Sequence, residues 1–169
     1  QLAKASGAST IGTARTQEKL DRCRGLGLDG AVLVREGEFA AEVHELTRGN
    51  GVDLVLDTVG AAYLEQNLHV IVRRGTIVVV GLLGGATGSL PLGTVLGKRA
   101  TIVGTVLRSR ALEEKAALAQ RFAKEALPLF TEGRLKPVID QVLPMEKVAE
   151  AHTRMENNEG FGKIVLRWE

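Results

Sequence analysis

The sequence predicts an α/β fold in which a doubly wound, mostly parallel sheet carries helices on both faces. Apolar runs of strand length alternate with amphipathic runs of helix length along the 169 residues, which is the pattern of successive β-α-β units. Several strand-length runs are apolar at consecutive positions, as expected for strands that are buried on both sides. The predicted strands span 8–14, 30–34, 52–59, 75–81, 101–107 and 163–168, and the predicted helices span 17–26, 38–48, 61–69, 111–132 and 145–157.

Local sequence justifies each element in turn. The opening QLAKASGA is typical of a helix end near Gly7, and the β-branched run in ASTIGTA predicts a strand. GAVLV, VDLVLDTV, GTIVVVG and TIVGTVL predict the next four strands. The stretch 111–132 is rich in strong helix formers and is followed by Gly133, which favours a helix end. Pro144 introduces the final helix, and KIVLRW predicts the last strand.

The first residues are unusual for a doubly wound sheet. Such a sheet begins with a strand, whereas this sequence begins with a helix end that leads into the predicted second strand. We therefore expect a first strand and a glycine-rich loop upstream of residue 1. In the strand order 3-2-1-4-5-6, that strand would lie between 8–14 and 52–59. Without it, the facing edges of these two strands would be open, and a stable fold would need rearranged pairing, a swapped partner chain or upstream residues.

Composition and charge exclude several classes of protein. The 22 Lys and Arg residues nearly balance the 20 Asp and Glu residues, giving a net charge of +2, so neither nucleic acid nor a membrane surface is indicated as a partner. Cys23 is the single cysteine, which excludes a disulfide framework and a cysteine zinc site. No apolar run reaches the roughly 18 residues of a membrane span. The start has no signal-peptide apolar region, and a cytoplasmic location is expected.

Two cations and a hydroxyl follow the predicted strand 8–14. In a Rossmann unit the second strand ends at the adenosine ribose, where an Asp or Glu binds the two hydroxyls of NAD. Here Arg15, Thr16 and Lys19 occupy that place, and the first carboxylate is Glu18. Cations and a hydroxyl suit the 2′-phosphate of NADP through charge-assisted hydrogen bonds. The alternative is that Arg15 and Lys19 only solvate the start of the helix.

Two further turns follow buried strands. GVDLVLDTVG places Asp57 and Gly60 at the carboxyl end of one strand, and VVVGLLGG places Gly81, Gly84 and Gly85 after the next. Ligands of open α/β sheets bind beyond these carboxyl ends. Glycines allow a close approach of backbone to a flat cofactor, so the sequence predicts a cofactor crevice here. The alternatives are that the glycines form ordinary turns and that Asp57 is structural.

Other chemistries lack their motifs. The sequence contains no G-x-S-x-G nucleophile elbow and no G-x-x-x-x-G-K-[ST] phosphate loop. His44, His69 and His152 are far apart and lie on or beside predicted helices, which favours packing or surface roles. We predict no metal site, and no catalytic residue can be assigned.

Four elements together resemble one enzyme family. They are GVDLVLDTVG, GTIVVVGLLGG, VLRSR at 106–110, and the ending LKPVIDQVLPMEKVAEAHTRMENNEGFGKIVL. In this order they are similar to the cofactor-binding half of zinc-independent quinone oxidoreductases, the zeta-crystallin-like branch of the medium-chain dehydrogenases/reductases. The resemblance covers nearly the whole chain.

The resemblance implies an enzyme about twice as long, with an N-terminal catalytic domain and residues 1–169 as a partial NADP-binding Rossmann domain. NADPH would pass hydride to a quinone or enone without metal. The cofactor-binding residues it implies are Arg15, Thr16 and Lys19 at the 2′-phosphate, Gly81, Leu82 and Leu83 along the cofactor, Thr105, Val106, Leu107 and Arg108 toward the nicotinamide, and Lys163 at the closing edge of the cleft.

The resemblance also implies a homodimer formed through the predicted edge strand 101–107. An enoyl reductase module of a fatty-acid or polyketide synthase is an alternative of the same fold. A non-catalytic nucleotide-binding or oligomerisation module is an alternative of a different class.

Overall fold

The computed structural model describes residues 1–168. Its helices are α1 (Leu2–Ala5), α2 (Gln17–Arg24), α3 (Ala40–Leu46), α4 (Leu64–Val70), α5 (Leu92–Lys98), α6 (Leu112–Glu125), α7 (Leu127–Thr131) and α8 (Val148–Glu156). Its strands are β1 (Ile11–Ala14), β2 (Gly30–Leu33), β3 (Val52–Asp57), β4 (Ile71–Val79), β5 (Thr101–Gly104), β6 (Ile139–Pro144) and β7 (Lys163–Arg167). Short 3-10 turns at Ala61–Tyr63 and Met145–Lys147 precede α4 and α8. The predicted alternation of strands and helices is confirmed.

The strands form three parallel groups. β1 pairs with β2, β4 lies between β3 and β5, and β6 pairs with β7. Among residues 1–168, β1 and β3 share no ladder, so each has an unpaired edge. These are the two edges that the strand order predicts to be open.

A buried apolar cluster connects the β1–β2 pair with the β3–β4–β5 sheet. Its buried members come from β2, α3, α4 and the segments beside them: Val32, Val34, Phe39, Val43 and Val70. Ile11 of β1 and Val55 of β3 both pack against it, as does Tyr63, whose ring lies 5.0 Å from that of Phe39. Hydrophobic packing therefore connects two sheets that, within the described residues, share no backbone hydrogen bond.

One face of β3 departs from the prediction. Leu54 and Leu56 are 60% and 68% exposed, although helices were expected on both faces of the sheet. Along β3 only Asp57 is fully buried, while Val52 and Val55 are half-buried. The packed side of β3 is therefore the side that carries Val55, and the opposite side is uncovered.

Two elements were not predicted, α5 and β6. Glycines at positions 93 and 97 weaken the helical signal of α5, but tertiary contacts hold it: Val95 packs against the buried cluster formed by Leu68, Ile71 and Ile77. Lys98 Nζ donates to the carbonyls of His69 and Ile71, at 2.7 Å each. β6 contains consecutive polar residues, and its strand structure comes from pairing with the distant β7.

Most predicted bounds differ from the observed ones by about one to four residues, and two of the differences change the structure assigned to a segment. The helix predicted at 111–132 is interrupted at Ala126, and α7 follows with Pro128 in its first turn. Proline has no N–H to continue the earlier helix and clashes with the preceding turn. The strand predicted at 101–107 ends at Gly104, so Thr105, Val106, Leu107 and Arg108 lie in a loop.

Candidate functional site

Three loops lie side by side at the carboxyl edge of the β3–β4–β5 sheet. They follow β3 (residues 58–60), β4 (residues 80–85) and β5 (residues 105–110). The Val80 N–H donates to the Asp57 carbonyl at 2.7 Å, and the Thr105 N–H donates to the Val79 carbonyl at 3.0 Å. Because the strands are parallel and adjacent, the structure brings most of the predicted cofactor-binding residues to one edge.

Asp57 holds the first of these loops. The residue is only 4% exposed. Its Oδ1 accepts from the N–H groups of Val59 at 2.7 Å and Gly60 at 3.0 Å, and its Oδ2 accepts from Asn67 Nδ2 at 3.0 Å. Both carboxylate oxygens are thus used inside the protein. Asp57 fixes the shape of the loop, which agrees with the structural alternative stated from the sequence.

The first two loops pack against each other at their glycines. Gly60 has φ +83°, and a Cβ there would lie 2.8 Å from the Gly85 carbonyl oxygen. A Cβ on Gly81 would lie 2.8 Å from the carbonyl oxygen of Thr58. At both glycines the space that a side chain would occupy is filled by the neighbouring loop, as the ordinary-turn alternative expects. The close approach of Gly81, Gly84 and Gly85 to a flat cofactor stays a prediction.

The outer surface of the second loop remains accessible. Leu82 is 54% and Leu83 is 88% exposed, while the Leu83 and Gly84 N–H groups donate to the carbonyls of Thr58 and Val59 at 3.3 and 2.7 Å. The backbone is anchored, the Leu83 side chain is almost fully exposed, and Leu82 Cδ2 lies beside Gly60. Such a surface can contact a flat ligand without rearranging.

Two cationic side chains brace the third loop. Arg110 donates from Nη2 to Thr105 Oγ1 at 2.7 Å and from Nε to the Val106 carbonyl at 3.0 Å. Lys115, from α6, donates to the Arg108 carbonyl at 2.9 Å. These bonds satisfy loop carbonyls that no strand partner reaches. Sequence reasoning missed the role of Arg110.

An apolar groove adjoins this third loop. It has a volume of about 910 Å³ and lies between the loop and α6. Its lining consists of Leu107, Arg108, Lys115, Leu118, Ala119, Phe122, Ala123 and Leu127. Phe122, Leu118 and Leu127 are 43–48% exposed, so the groove is a wide apolar surface with two cations at one side.

The predicted 2′-phosphate residues lie after the end of β1 and in the first turn of α2. Arg15 and Thr16 are exposed and Lys19 is half-buried. Thr16 is the N-cap residue of α2 with an extended backbone, and among residues 1–168 its side chain makes no capping hydrogen bond. Lys19 Nζ donates to the carbonyl of Asn158 at 2.9 Å and to its Oδ1 at 3.2 Å. Sequence reasoning did not anticipate this partner.

The segment 157–161 that supplies Asn158 is fixed from both sides. Arg154 Nε donates to Asp140 Oδ2 at 3.1 Å, and the Arg22 guanidinium lies 4.2 Å from the centre of the Phe161 ring. The hydrogen bond from Arg154, followed by one from the Phe161 N–H, holds the pKa of Asp140 below its usual value. The segment thus links β6 to α2.

Lys163 directly follows the segment that carries Asn158 and Phe161. It is the first residue of β7, it is exposed, and its N–H donates to the Val138 carbonyl at 2.8 Å. The predicted site residues therefore fall into two sets. One set lies at the edge of the β3–β4–β5 sheet, and the other lies around the start of α2 and the segment before β7.

The remaining sequence predictions concern metals, histidines and membranes. Among residues 1–168, no three His, Cys, Asp or Glu side chains come together as metal ligands would. The His44 ring contacts the His69 carbonyl at 3.2 Å through Nε2, in keeping with a packing role. No helix within the same range is long and apolar enough to cross a membrane.

Comparison with known proteins identifies the family. Residues 1–124 match the zinc-binding dehydrogenase family. The chain belongs to that family. It is 29% identical to the human protein named quinone oxidoreductase over 167 residues, which is 98% of this chain and 49% of the human one. It is also 29% identical to bovine quinone oxidoreductase-like protein 2, covering 94% of this chain and 45% of that protein. These similarities confirm a quinone-oxidoreductase-like portion of a medium-chain dehydrogenase/reductase.

Solved structures confirm the Rossmann-type fold. AibC matches with a TM-score of 0.84 and 30% identity, covering 99% of this chain and 44% of AibC. A protein described as NAD-dependent alcohol dehydrogenase matches with a TM-score of 0.79 and 35% identity, covering 98% of this chain and 46% of that one. The CurK enoyl reductase matches with a TM-score of 0.79 and 26% identity, covering 99% of this chain and 49% of that one. The chain spans about half the length of these relatives.

Proposed function

We propose that residues 1–169 bind NADPH and form the cofactor-binding part of a zinc-independent quinone or enone oxidoreductase with a separate N-terminal catalytic domain. The observation that carries the cofactor choice is the set of cations at the start of α2. Arg15 and Lys19 have no carboxylate partner in residues 1–168. The nearby Glu18 is directed to Arg22 instead, at 3.9 Å.

These residues fit a 2′-phosphate better than a free ribose. Ribose hydroxyls need an acceptor such as a carboxylate, whereas a phosphate dianion needs donors and positive charge. The Lys19 ammonium has three donors, and its two contacts with Asn158 are with neutral oxygens. Its charge is therefore uncompensated. Arg15 and the Thr16 hydroxyl, both exposed, offer further donors.

The carboxyl edge of the β3–β4–β5 sheet would hold the rest of the cofactor. NADPH supplies a hydride when it is bound. Leu82 and Leu83 would contact the flat parts of the cofactor, with Gly60 and Gly81 keeping their loop in place. Thr105, Val106, Leu107 and Arg108 would lie toward the nicotinamide, held in position by Arg110. Asp57 would orient its loop through the three hydrogen bonds that its oxygens accept.

The groove beside Leu107 supports an apolar acceptor. Its lining is mainly apolar, and its volume of about 910 Å³ lies within the range of small-molecule sites, about 300–1,000 Å³. A quinone or an enone has a flat apolar body and a polar carbonyl. Arg108 and Lys115, both on the lining, would face the carbonyl end.

An enoyl reductase module is the second candidate. The fold match to CurK enoyl reductase supports it, since such enzymes perform the same hydride transfer on an activated alkene. The two candidate functions can be distinguished by joining this chain to an N-terminal catalytic half and measuring which substrate is turned over. Turnover with 1,4-benzoquinone but not with an enoyl thioester supports the quinone reductase, and the reverse supports the enoyl reductase. A non-catalytic module would turn over neither substrate.

We also propose a cytoplasmic homodimer that pairs through β5. All four residues of this strand are exposed, and in the part of the chain that the structure describes it pairs on one edge only, with β4. An exposed, β-branched edge without charge is suited to pairing with a second copy.

The test of the cofactor proposal is a pair of charge-removing variants. Lys19→Ala and Arg15→Ala should each weaken NADPH binding by about tenfold or more, because each removes a charge-assisted hydrogen bond. NADH binding should change less than twofold. Lys124→Ala on α6 removes the same charge elsewhere and serves as the control. Equal losses for both cofactors would contradict the proposal.

A further inference from the structure

The contact between Lys19 and Asn158 joins residues that are 139 positions apart in sequence. Both oxygens of Asn158 accept from the same ammonium, the carbonyl at 2.9 Å and Oδ1 at 3.2 Å. Two acceptors on one residue fix the direction of the ammonium more narrowly than one would. A half-buried lysine side chain, which is otherwise free to adopt many rotamers, is thereby held in one place.

The backbone of Asn158 is adapted to this arrangement. Asn158 has φ +58°, a left-handed conformation that asparagine tolerates better than most residues. It follows the end of α8, and its N–H donates to the Met155 carbonyl at 3.0 Å. This reversal of the chain directs both Asn158 oxygens toward α2.

The surrounding segment prevents Asn158 from moving freely. Asp140 accepts from Arg154 and from the Phe161 N–H, and the Phe161 ring lies under the Arg22 guanidinium. Gly162 has φ +110°, and a Cβ there would lie 2.5 Å from the Val138 carbonyl oxygen. The segment 157–162 is thus anchored to β6 on one side and to α2 on the other.

We infer that Asn158 is a positioning residue that determines cofactor specificity, by holding the Lys19 ammonium toward the 2′-phosphate of NADPH without neutralising its charge. This inference rests on the proposed function. An asparagine provides oxygen acceptors but no negative charge, so the lysine is oriented and its charge remains available. A carboxylate at position 158 would pair with the lysine and repel the phosphate.

The test compares two substitutions at this position. Asn158→Asp keeps the shape and the acceptors but adds a negative charge, and we expect it to weaken NADPH binding by about tenfold or more while NADH binding changes less than twofold. Asn158→Gly keeps the left-handed backbone and the carbonyl but removes Oδ1, and we expect NADPH binding to weaken about two- to fivefold. A purely structural role would lower the affinities for both cofactors equally.

Two controls sharpen the comparison. Asn50→Asp makes the same charge change at the turn before β3, where the Asn50 amide donates to the Thr47 carbonyl, and it should leave the NADPH to NADH ratio unchanged. The second control is Asn158→Asp combined with Lys19→Ala. In that background the change in log Kd for NADPH caused by Asn158→Asp should be less than half the change that it causes in the parent chain. Affinities are measured by cofactor fluorescence on the full 169-residue chain, with circular dichroism confirming that each variant is folded.

The outcomes separate this inference from the proposed function. If the parent chain does not prefer NADPH, the proposed function is wrong and the inference is overturned with it. If the parent chain prefers NADPH and both Asn158 variants keep that preference, the inference alone is wrong. The inference is supported if both Asn158 variants show a smaller preference for NADPH over NADH while Asn50→Asp keeps the parent ratio of the two affinities. Should Asn158→Asp fail to fold, the Asn158→Gly result decides.

Discussion

Replacing Asp57 by alanine should destabilise the protein and disorganise the loops at the edge of the β3–β4–β5 sheet. The substitution leaves three donors without their acceptor, the N–H groups of Val59 and Gly60 and the Nδ2 of Asn67. A hydrogen bond to a charged group contributes about 1.5–3 kcal/mol. Because the three bonds share one carboxylate, their losses are not additive, and we expect about 3–5 kcal/mol in total. For a chain of this length that corresponds to a fall in Tm of about 6–20 °C.

The isosteric variant Asp57→Asn tests the assignment of the bonds. Its remaining oxygen can accept from Val59 and Gly60, and Asn67 can rotate its amide to offer an oxygen to the new NH₂ group. We therefore expect a loss of only about 1 kcal/mol. Asp53→Ala makes the same truncation at an exposed position of the same strand and should change stability by less than about 0.5 kcal/mol.

Thermal and urea unfolding followed by circular dichroism measure all three variants. The reasoning is refuted if Asp57→Ala and Asp53→Ala lower the Tm by the same small amount. It is also refuted if Asp57→Asn is as destabilising as Asp57→Ala, since the carboxylate would then act through something other than these three bonds.

Three further predictions follow from the packing, the ion pair and the edge strand. Gly81→Ala should lower the free energy of unfolding in urea by about 1–3 kcal/mol, because the new Cβ would lie 2.8 Å from a backbone oxygen. Gly93→Ala in α5 is the control: its Cβ would meet no described atom within 4 Å, and it should stabilise the helix by up to about 1 kcal/mol. The pKa of Asp140 is lowered in the folded protein, chiefly by the hydrogen bond from Arg154, so its stabilising contribution is complete above pH of about 4 and is lost as the pH falls further. Asp140→Asn should therefore make the free energy of unfolding less dependent on pH in that acid range. An unchanged acid-unfolding profile would contradict the role given to this ion pair. Ile102→Lys should shift sedimentation of the chain from dimer to monomer, and a parent chain that is already monomeric at micromolar concentration would remove the dimer proposal.

Strong local patterns allowed most of the fold to be predicted from the sequence. The runs that became β2, β3 and β4 are apolar at consecutive positions, and the stretch at 111–132 has high helix propensity, so burial and propensity favour the same elements. The elements that were missed depend on distant partners. α5 contains two glycines and is held by Val95 and Lys98. β6 is a strand because β7 pairs with it.

The candidate site could likewise be predicted only in part. The loops after β3, β4 and β5 could be predicted because strand ends in a parallel sheet meet at one edge. The partner of Lys19 could not, because no local pattern connects α2 with position 158. The asparagine pair in ENNEG was the available signal, since asparagine is one of the residues that adopt a left-handed backbone conformation after a helix. It indicates the turn but not the lysine that the turn contacts.

The most direct measurement of the central claim is competition at the adenosine end of the cofactor site. The full 169-residue chain is titrated with NADPH and with NADH, and bound NADPH is then displaced with 2′,5′-ADP or with ADP. We expect NADPH to bind at least about tenfold more tightly than NADH, and 2′,5′-ADP to displace it at a correspondingly lower concentration than ADP. Equal binding of the two cofactors, or equal displacement by the two nucleotides, would contradict a 2′-phosphate site at Arg15, Thr16 and Lys19.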